Sequence, residues 1–238
     1  MKRLYIALII SSALVNQLSA QVADNNIDIG LGIGGSEGSL STSYVHNWQL
    51  GKKKKWSLGV GGRLTNYLGK NQYYLTAPAS ITSGETGPQV FFIENIIENI
   101  DSVQFASAQA NSLNASFNVG YQVHPKVFVG FNIDLFGVSF GAKQDGRYFE
   151  GNSGNTTSGK PTSLNVLLIS DNDIGSLNSE LFARYSLNAT WGIKAGFQFL
   201  FTEYSTDTEV QQSPEPNDRF RNKSAMFTAG VTYFITKK

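Results

Sequence analysis

From Ile27 onward the chain repeatedly sets a large apolar residue beside a small polar one, and it does so in eight separate segments. The cleanest has Leu113, Ala115, Phe117, Val119, Tyr121 and Val123 against Ser112, Asn114, Ser116, Asn118, Gly120 and Gln122. Similar segments begin near Ile27, Leu40, Trp56, Val127, Leu177, Trp191 and Ala225. In the Val127 segment, Phe128, Gly130, Asn132, Asp134 and Phe136 fall on the polar face. Successive side chains of a strand point to opposite faces, so this spacing demands strands with one greasy and one polar side. The expectation is an all-β, antiparallel, up-and-down arrangement of about eight strands, each near the ~9–11 residues that cross a bilayer when tilted.

The polar face decides which side is wet. A soluble barrel would carry dense Lys, Glu and Arg there, whereas here it is mainly Gly, Ser and Asn, small enough to line a narrow interior. The few charges on it balance: Asp28, Asp134 and Glu180 against Arg63, Arg184 and Lys194. Charges in such a place persist when paired or hydrogen-bonded, so these six are expected to form an ion-pair network in the lumen. Trp48, Trp56, Tyr121, Tyr185, Trp191 and Tyr233 lie on the apolar face, each beside a short turn or near the end of the chain. Rings with apolar bodies and wet edges settle at headgroup level, which makes this set an aromatic girdle. At about eight strands side chains fill the interior, so no open pore is expected.

The connections alternate in length. Short turns follow the second, fourth and sixth strands, and long loops are expected near 67–110, 141–176 and 204–222. That asymmetry suits short periplasmic turns and long outer loops, with a low rim after the first strand where the connection is tight. Met1-Lys2-Arg3, an apolar run from Leu4 to Val15 and Leu18-Ser19-Ala20 read as a signal peptide over 1–20, leaving a single barrel over 21–238. Without Lys2 and Arg3, 17 basic residues of the original 19 face 18 acidic ones, a balance that argues against nucleic acid. The absence of Cys excludes disulfides and thiolate metal sites.

With these features in place, the whole span 21–238 resembles the small Gram-negative outer-membrane β-barrel proteins of OmpA/OmpX type, the "outer membrane protein beta-barrel domain" group. The resemblance implies a cell outer-membrane location, contact with outer-membrane lipid and lipopolysaccharide, and a monomer. Such proteins usually end on an aromatic residue; here the corresponding signal would be internal, at Tyr233-Phe234. Some members modify lipid A, which requires a nucleophile or base such as His. His124 lies in a His-Pro-Lys turn and His46 between Tyr44 and Trp48, and no nucleophile elbow, metal-spaced cluster or phosphate loop is present. No catalytic, cofactor or metal site is therefore expected.

The outer loops carry more. Phe92, Ile93, Ile96, Ile97 and Ile100 recur at helical spacing among Glu94, Asn95, Glu98, Asn99 and Asp101, the pattern of an amphipathic helix. Val166-Leu167-Leu168-Ile169 is a second apolar piece, expected to pack with the first over the barrel mouth or to leave a patch for a protein partner. Either piece could instead lengthen strands above the membrane, or form an extra hairpin that gives ten strands in all. The leading expectation is a structural or binding role through the outer loops. A narrow or lateral porin-like conduit of OmpW type for small hydrophobic molecules comes second, and lipid A modification third.

Overall fold

The computed structural model describes residues 25–150, 153–168 and 172–235. The expected signal peptide and Ile169 lie outside the described residues. Among the described residues no helix is long and apolar enough to cross a membrane. The strands are β1 (Asn25–Ile33), β2 (Glu37–Leu50), β3 (Trp56–Thr76), β4 (Ser102–His124), β5 (Val127–Phe140), β6 (Gln144–Glu150), β7 (Ser153–Pro161), β8 (Leu164–Val166), β9 (Leu177–Ser186), β10 (Trp191–Thr206) and β11 (Arg219–Ile235). Every pairing is antiparallel.

Eight of these strands close a ring in the order β1-β2-β3-β4-β5-β9-β10-β11, and the register Ile29 opposite Val231 seals β1 to β11. Closure removes the free edges that an open sheet would expose. The outward residues are apolar: on β3 they run from Trp56 through Leu58, Val60 and Leu64 to Leu68. Those twelve residue steps span about 40 Å of strand, or about 28 Å of height at a tilt of about 45°. This matches the apolar band of a membrane barrel, about 25 Å tall.

Above this ring the architecture changes. β1 and β2 end at a tight turn over 34–36, and β3 and β11 then pair directly through Thr76 opposite Phe220 and Leu75 opposite Arg221. On the opposite flank the β6–β7 hairpin joins the top of β4 to the top of β10. The result is a second closed ring of six strands, β3-β4-β6-β7-β10-β11, stacked on the first.

Several expectations are corrected by this upper tier. The expected loop near 67–110 is irregular only over 77–101, and within it α1 (Ala79–Thr82) is a single helical turn. The expected loop near 141–176 contains β6, β7 and β8, while strands also occupy both ends of the 204–222 stretch. The amphipathic helix is absent: Pro88–Phe92 and Ile97–Asn99 are short 3-10 turns. An isolated segment of this length is a marginal helix in water. Here its polar groups bond elsewhere, Ile96 N–H donating to the Thr82 carbonyl and Asn99 Nδ2 to the Ile81 carbonyl.

Phe136 is a further correction, because it points outward. A bulge in β5 sets Ser116 opposite Asp134 but Ala115 opposite Phe136, so the extra residue reverses the alternation. Phe136, Val138 and Phe140 are consequently exposed.

Candidate functional site

The interior is the first place where function could reside, and it is packed along its length. Near the lower end, Arg184 lies between the rings of Phe128 and Phe234, with its guanidinium 4.6 and 5.1 Å from their centroids. Inward Phe128 and Phe182 fit because Gly120 and Gly130 face them. A Cβ on Gly130 would lie 2.6 Å from the Phe182 ring, and one on Gly120 would collide with Phe128. Asp28 accepts hydrogen bonds from Asn26 Nδ2 (3.0 Å) and from the Thr232 hydroxyl.

Higher up, Lys194 donates to Glu180 at 2.8 Å, while Asn132 and Thr228 satisfy the rest of that carboxylate at 3.2 and 2.9 Å. Arg63 donates to Asp134 Oδ1 through Nε (2.9 Å) and Nη2 (2.6 Å), and also to Asn132 and the Asn178 carbonyl. Asp134 Oδ2 accepts from Asn114 Nδ2 (2.8 Å) and Asn178 N–H (3.0 Å). Among the described residues the six lumen charges therefore form two direct pairs, Arg63–Asp134 and Lys194–Glu180, while Asp28 acts on Arg184 through its charge. Asp28 is held by neutral donors, and Arg184 by aromatic faces with its Nε lacking a hydrogen-bond partner.

The upper ring is closed by an aromatic plug of buried Tyr74, Phe105, Tyr148, Tyr204 and Phe220, with Val103 among them. Phe105 and Tyr204 rings lie 4.5 Å apart, and Tyr74 meets each edge-on at 5.3 and 5.0 Å. The Tyr204 hydroxyl donates to the Gln109 carbonyl at 2.7 Å and accepts from the Gln109 N–H at 2.9 Å. Burial and a hydrogen bond to Asp101 (2.6 Å) push the Tyr148 phenol well above its ordinary range.

A second charged cluster lies at this level. Glu203 is fully buried and accepts from Arg219 Nε (2.8 Å) and Arg221 Nη2 (2.8 Å), and both arginines also donate to the Asp173 carbonyl. Sequence reasoning missed both the plug and this cluster. The available signal was renewed alternation at Gln72, Tyr74 and Thr76 and again at Val103 and Phe105. It is out of phase with the strand below because β3 changes face at Asn71 (φ 52°) and β4 changes opposite it at Ala106–Ser107.

The girdle residues gather at the end of the ring that carries the short turns. Trp56 and Tyr121 are cross-strand partners with rings 4.9 Å apart, as are Trp191 and Tyr233 at 5.0 Å. Trp48 and Tyr185 lie on β2 and β9, with His46 edge-on to Trp48 at 4.7 Å. The His46 ring nitrogen Nδ1 contacts Asn25 Oδ1 at 2.8 Å, and His124 Nδ1 accepts from Lys126 N–H within its turn. Among the described residues no group of His, Asp or Glu comes together as a metal site.

The loop patch is spread out. Phe92 and Ile97 are 91 and 73% exposed, Ile93 and Ile96 are also exposed, and only Ile100 is half-buried. Val166 pairs with Phe136 of β5, and Leu168 is exposed, so the two apolar pieces do not bury one another over the mouth. A hydrogen bond from Asn172 Nδ2 to the Thr86 carbonyl (3.1 Å) ties the two loops together.

No family model matches the chain, and no curated protein matches it. Among solved structures it is similar to Ail, the attachment invasion locus protein of Yersinia pestis, at 10% identity and a TM-score of 0.37, over 89% of this chain and 97% of that one. Neisserial surface protein A is similar at 12% identity and a TM-score of 0.36, over 89 and 94% of the two chains. The toluene transporter TodX of P. putida reaches 10% identity and a TM-score of 0.25, over 93 and 92%. These are likenesses of general form, and the barrel assignment rests on the strand pairings of this chain.

Proposed function

We propose that this chain is an outer-membrane β-barrel that serves as a structural or binding protein through its outer tier, with a sealed lumen. The observation that carries this reading is the closed six-stranded upper ring and its aromatic plug, standing over a lower lumen crossed by the Arg63–Asp134 and Lys194–Glu180 pairs. The apolar belt and the one-ended girdle support membrane insertion, since water would leave that belt exposed. Outer-membrane lipid and lipopolysaccharide are the surroundings it would contact. A protein partner at Phe92, Ile93, Ile96 and Ile97 fits their exposure.

Planar-bilayer recording of the purified barrel tests the sealed lumen. A silent bilayer is expected, and discrete channel openings would replace this reading with the conduit. Catalysis is the least supported reading, because both histidines are engaged in local contacts at the short-turn end. Overexpression should leave lipid A unchanged by mass spectrometry.

A further inference from the structure

The turn between β2 and β3 carries four successive lysines, Lys52–Lys55, at the end of the ring where the aromatic girdle lies. Leu50 opposite Trp56 is the last rung of that hairpin, so the lysines project just past Trp56. The Lys54 N–H donates to the Gly51 carbonyl at 3.0 Å, with both residues at positive φ, which fixes the turn. Lys55 lies over the Tyr121 ring, 5.8 Å from its centroid. Lys52, Lys53 and Lys54 are exposed, and among the described residues none of the three joins an ion pair. The next short turn around the ring adds Lys126.

Charge is sorted by end. The three short turns, over 51–55, 124–126 and 187–190, contain no carboxylate. The outer stretches 77–101 and 207–218 carry Glu85, Glu94, Glu98, Glu209 and Glu215 among their acids and hold neither Lys nor Arg. Trp48 and Trp56 are about half exposed on the outer face of the ring. Such rings settle at headgroup level, so they set the height of the adjoining lysines at the lipid phosphates. That height favours a lipid over a soluble acidic partner, since clustered cations beside a bilayer attract anionic headgroups.

We infer that the Lys52–Lys54 turn is a docking site for anionic phospholipid headgroups in the periplasmic leaflet of the outer membrane. The phosphate accepts hydrogen bonds from the three free ammonium groups, and the acyl chains lie along Trp48 and Trp56. This rests on the membrane insertion proposed above and is independent of whether the lumen conducts.

Tryptophan quenching tests it in the full chain, reconstituted in phosphatidylcholine vesicles that contain a small share of lipid brominated near the head. Trp191→Phe is introduced throughout, so that only the two tryptophans beside the lysines report. Brominated phosphatidylglycerol should be preferred over brominated phosphatidylcholine at least about fivefold, the effect of a single lysine near an anionic surface. Lys52→Gln, Lys53→Gln and Lys54→Gln together should erase the preference, and Arg at the same three positions should keep it. Raising salt from about 0.1 to about 1 M, which shortens the screening length from about 10 to about 3 Å, should also erase it. Heat-modifiable migration reports folding of each variant. Equal quenching by the two brominated lipids, or a preference that survives the Gln substitutions in a folded barrel, would overturn the site. Displacement by inorganic phosphate beyond that by chloride at equal ionic strength would assign the lysines to free phosphate and overturn the lipid as ligand. Absence of quenching by either lipid would instead overturn membrane insertion, and this site with it.

Discussion

Among single residues, Asp134 shows how an ion can be kept in a membrane-level interior. It is fully buried, and four donors reach its two oxygens: Arg63 Nε and Nη2, Asn114 Nδ2 and Asn178 N–H. Removing one partner of such a pair strands the other, at a cost of about 3–5 kcal/mol. Arg63→Ala should therefore lose about that much in urea unfolding of the detergent-folded barrel. The double variant Arg63→Met, Asp134→Leu should be clearly milder, and equal losses would show that the pair is not the source. Tyr204→Phe deletes a hydroxyl that both donates to and accepts from the Gln109 backbone. It leaves those two groups unsatisfied, so a loss of about 1–3 kcal/mol is expected in the same measurement.

The β6–β7 hairpin is the element that turns a simple ring into a two-tier barrel. Besides its ladder contacts, it is tied to the loop after β10 through Asp207, which accepts from Lys143 Nζ at 2.7 Å and from Ser158 Oγ at 2.6 Å. The Lys143 hydrogen bond, followed by that from Ser158, holds the Asp207 carboxyl below the usual carboxylate range. A lowered value means the bridge is complete above that range and is lost as pH falls through the Asp207 titration. Carboxyl-carbon NMR should show Asp207 titrating low, and Lys143→Met should move it back toward normal. The hairpin was hidden in the sequence because 144–161 is rich in Gly, Ser, Asn and Thr, a composition that also suits loops. Its pairing with β4 and β10 depends on partners about 40 residues away in each direction.

For the whole molecule, closure is the property on which the others depend. β1 meets β11 in continuous register from Asn25 opposite Ile235 to Ile33 opposite Phe227. Because the chain has no cysteine, a pair introduced as Ile29→Cys and Val231→Cys reports that seam alone. Oxidation should cross-link the two termini of the ring in the folded protein, seen as altered gel mobility, and an offset pair such as Ile29→Cys with Phe227→Cys should not. Failure of the matched pair in a folded sample would mean that the seam is open or in another register.

Local order was written in the residues themselves. Alternation every second residue placed Trp56 to Leu64, Leu113 to Val123 and Ile193 to Phe199 on one outer face, because strand geometry fixes side-chain direction without reference to partners. The girdle and the small polar face follow from that same local rule. Tertiary structure alone decided the upper tier. The phase changes at Asn71 and near Leu135, the joining of β3 to β11 and the burial of Glu203 between two arginines depend on strands distant in sequence. The spacing from Phe92 to Ile100 looked helical, yet a periodic face makes a helix only where a neighbour covers it, and here the barrel wall left most of it exposed.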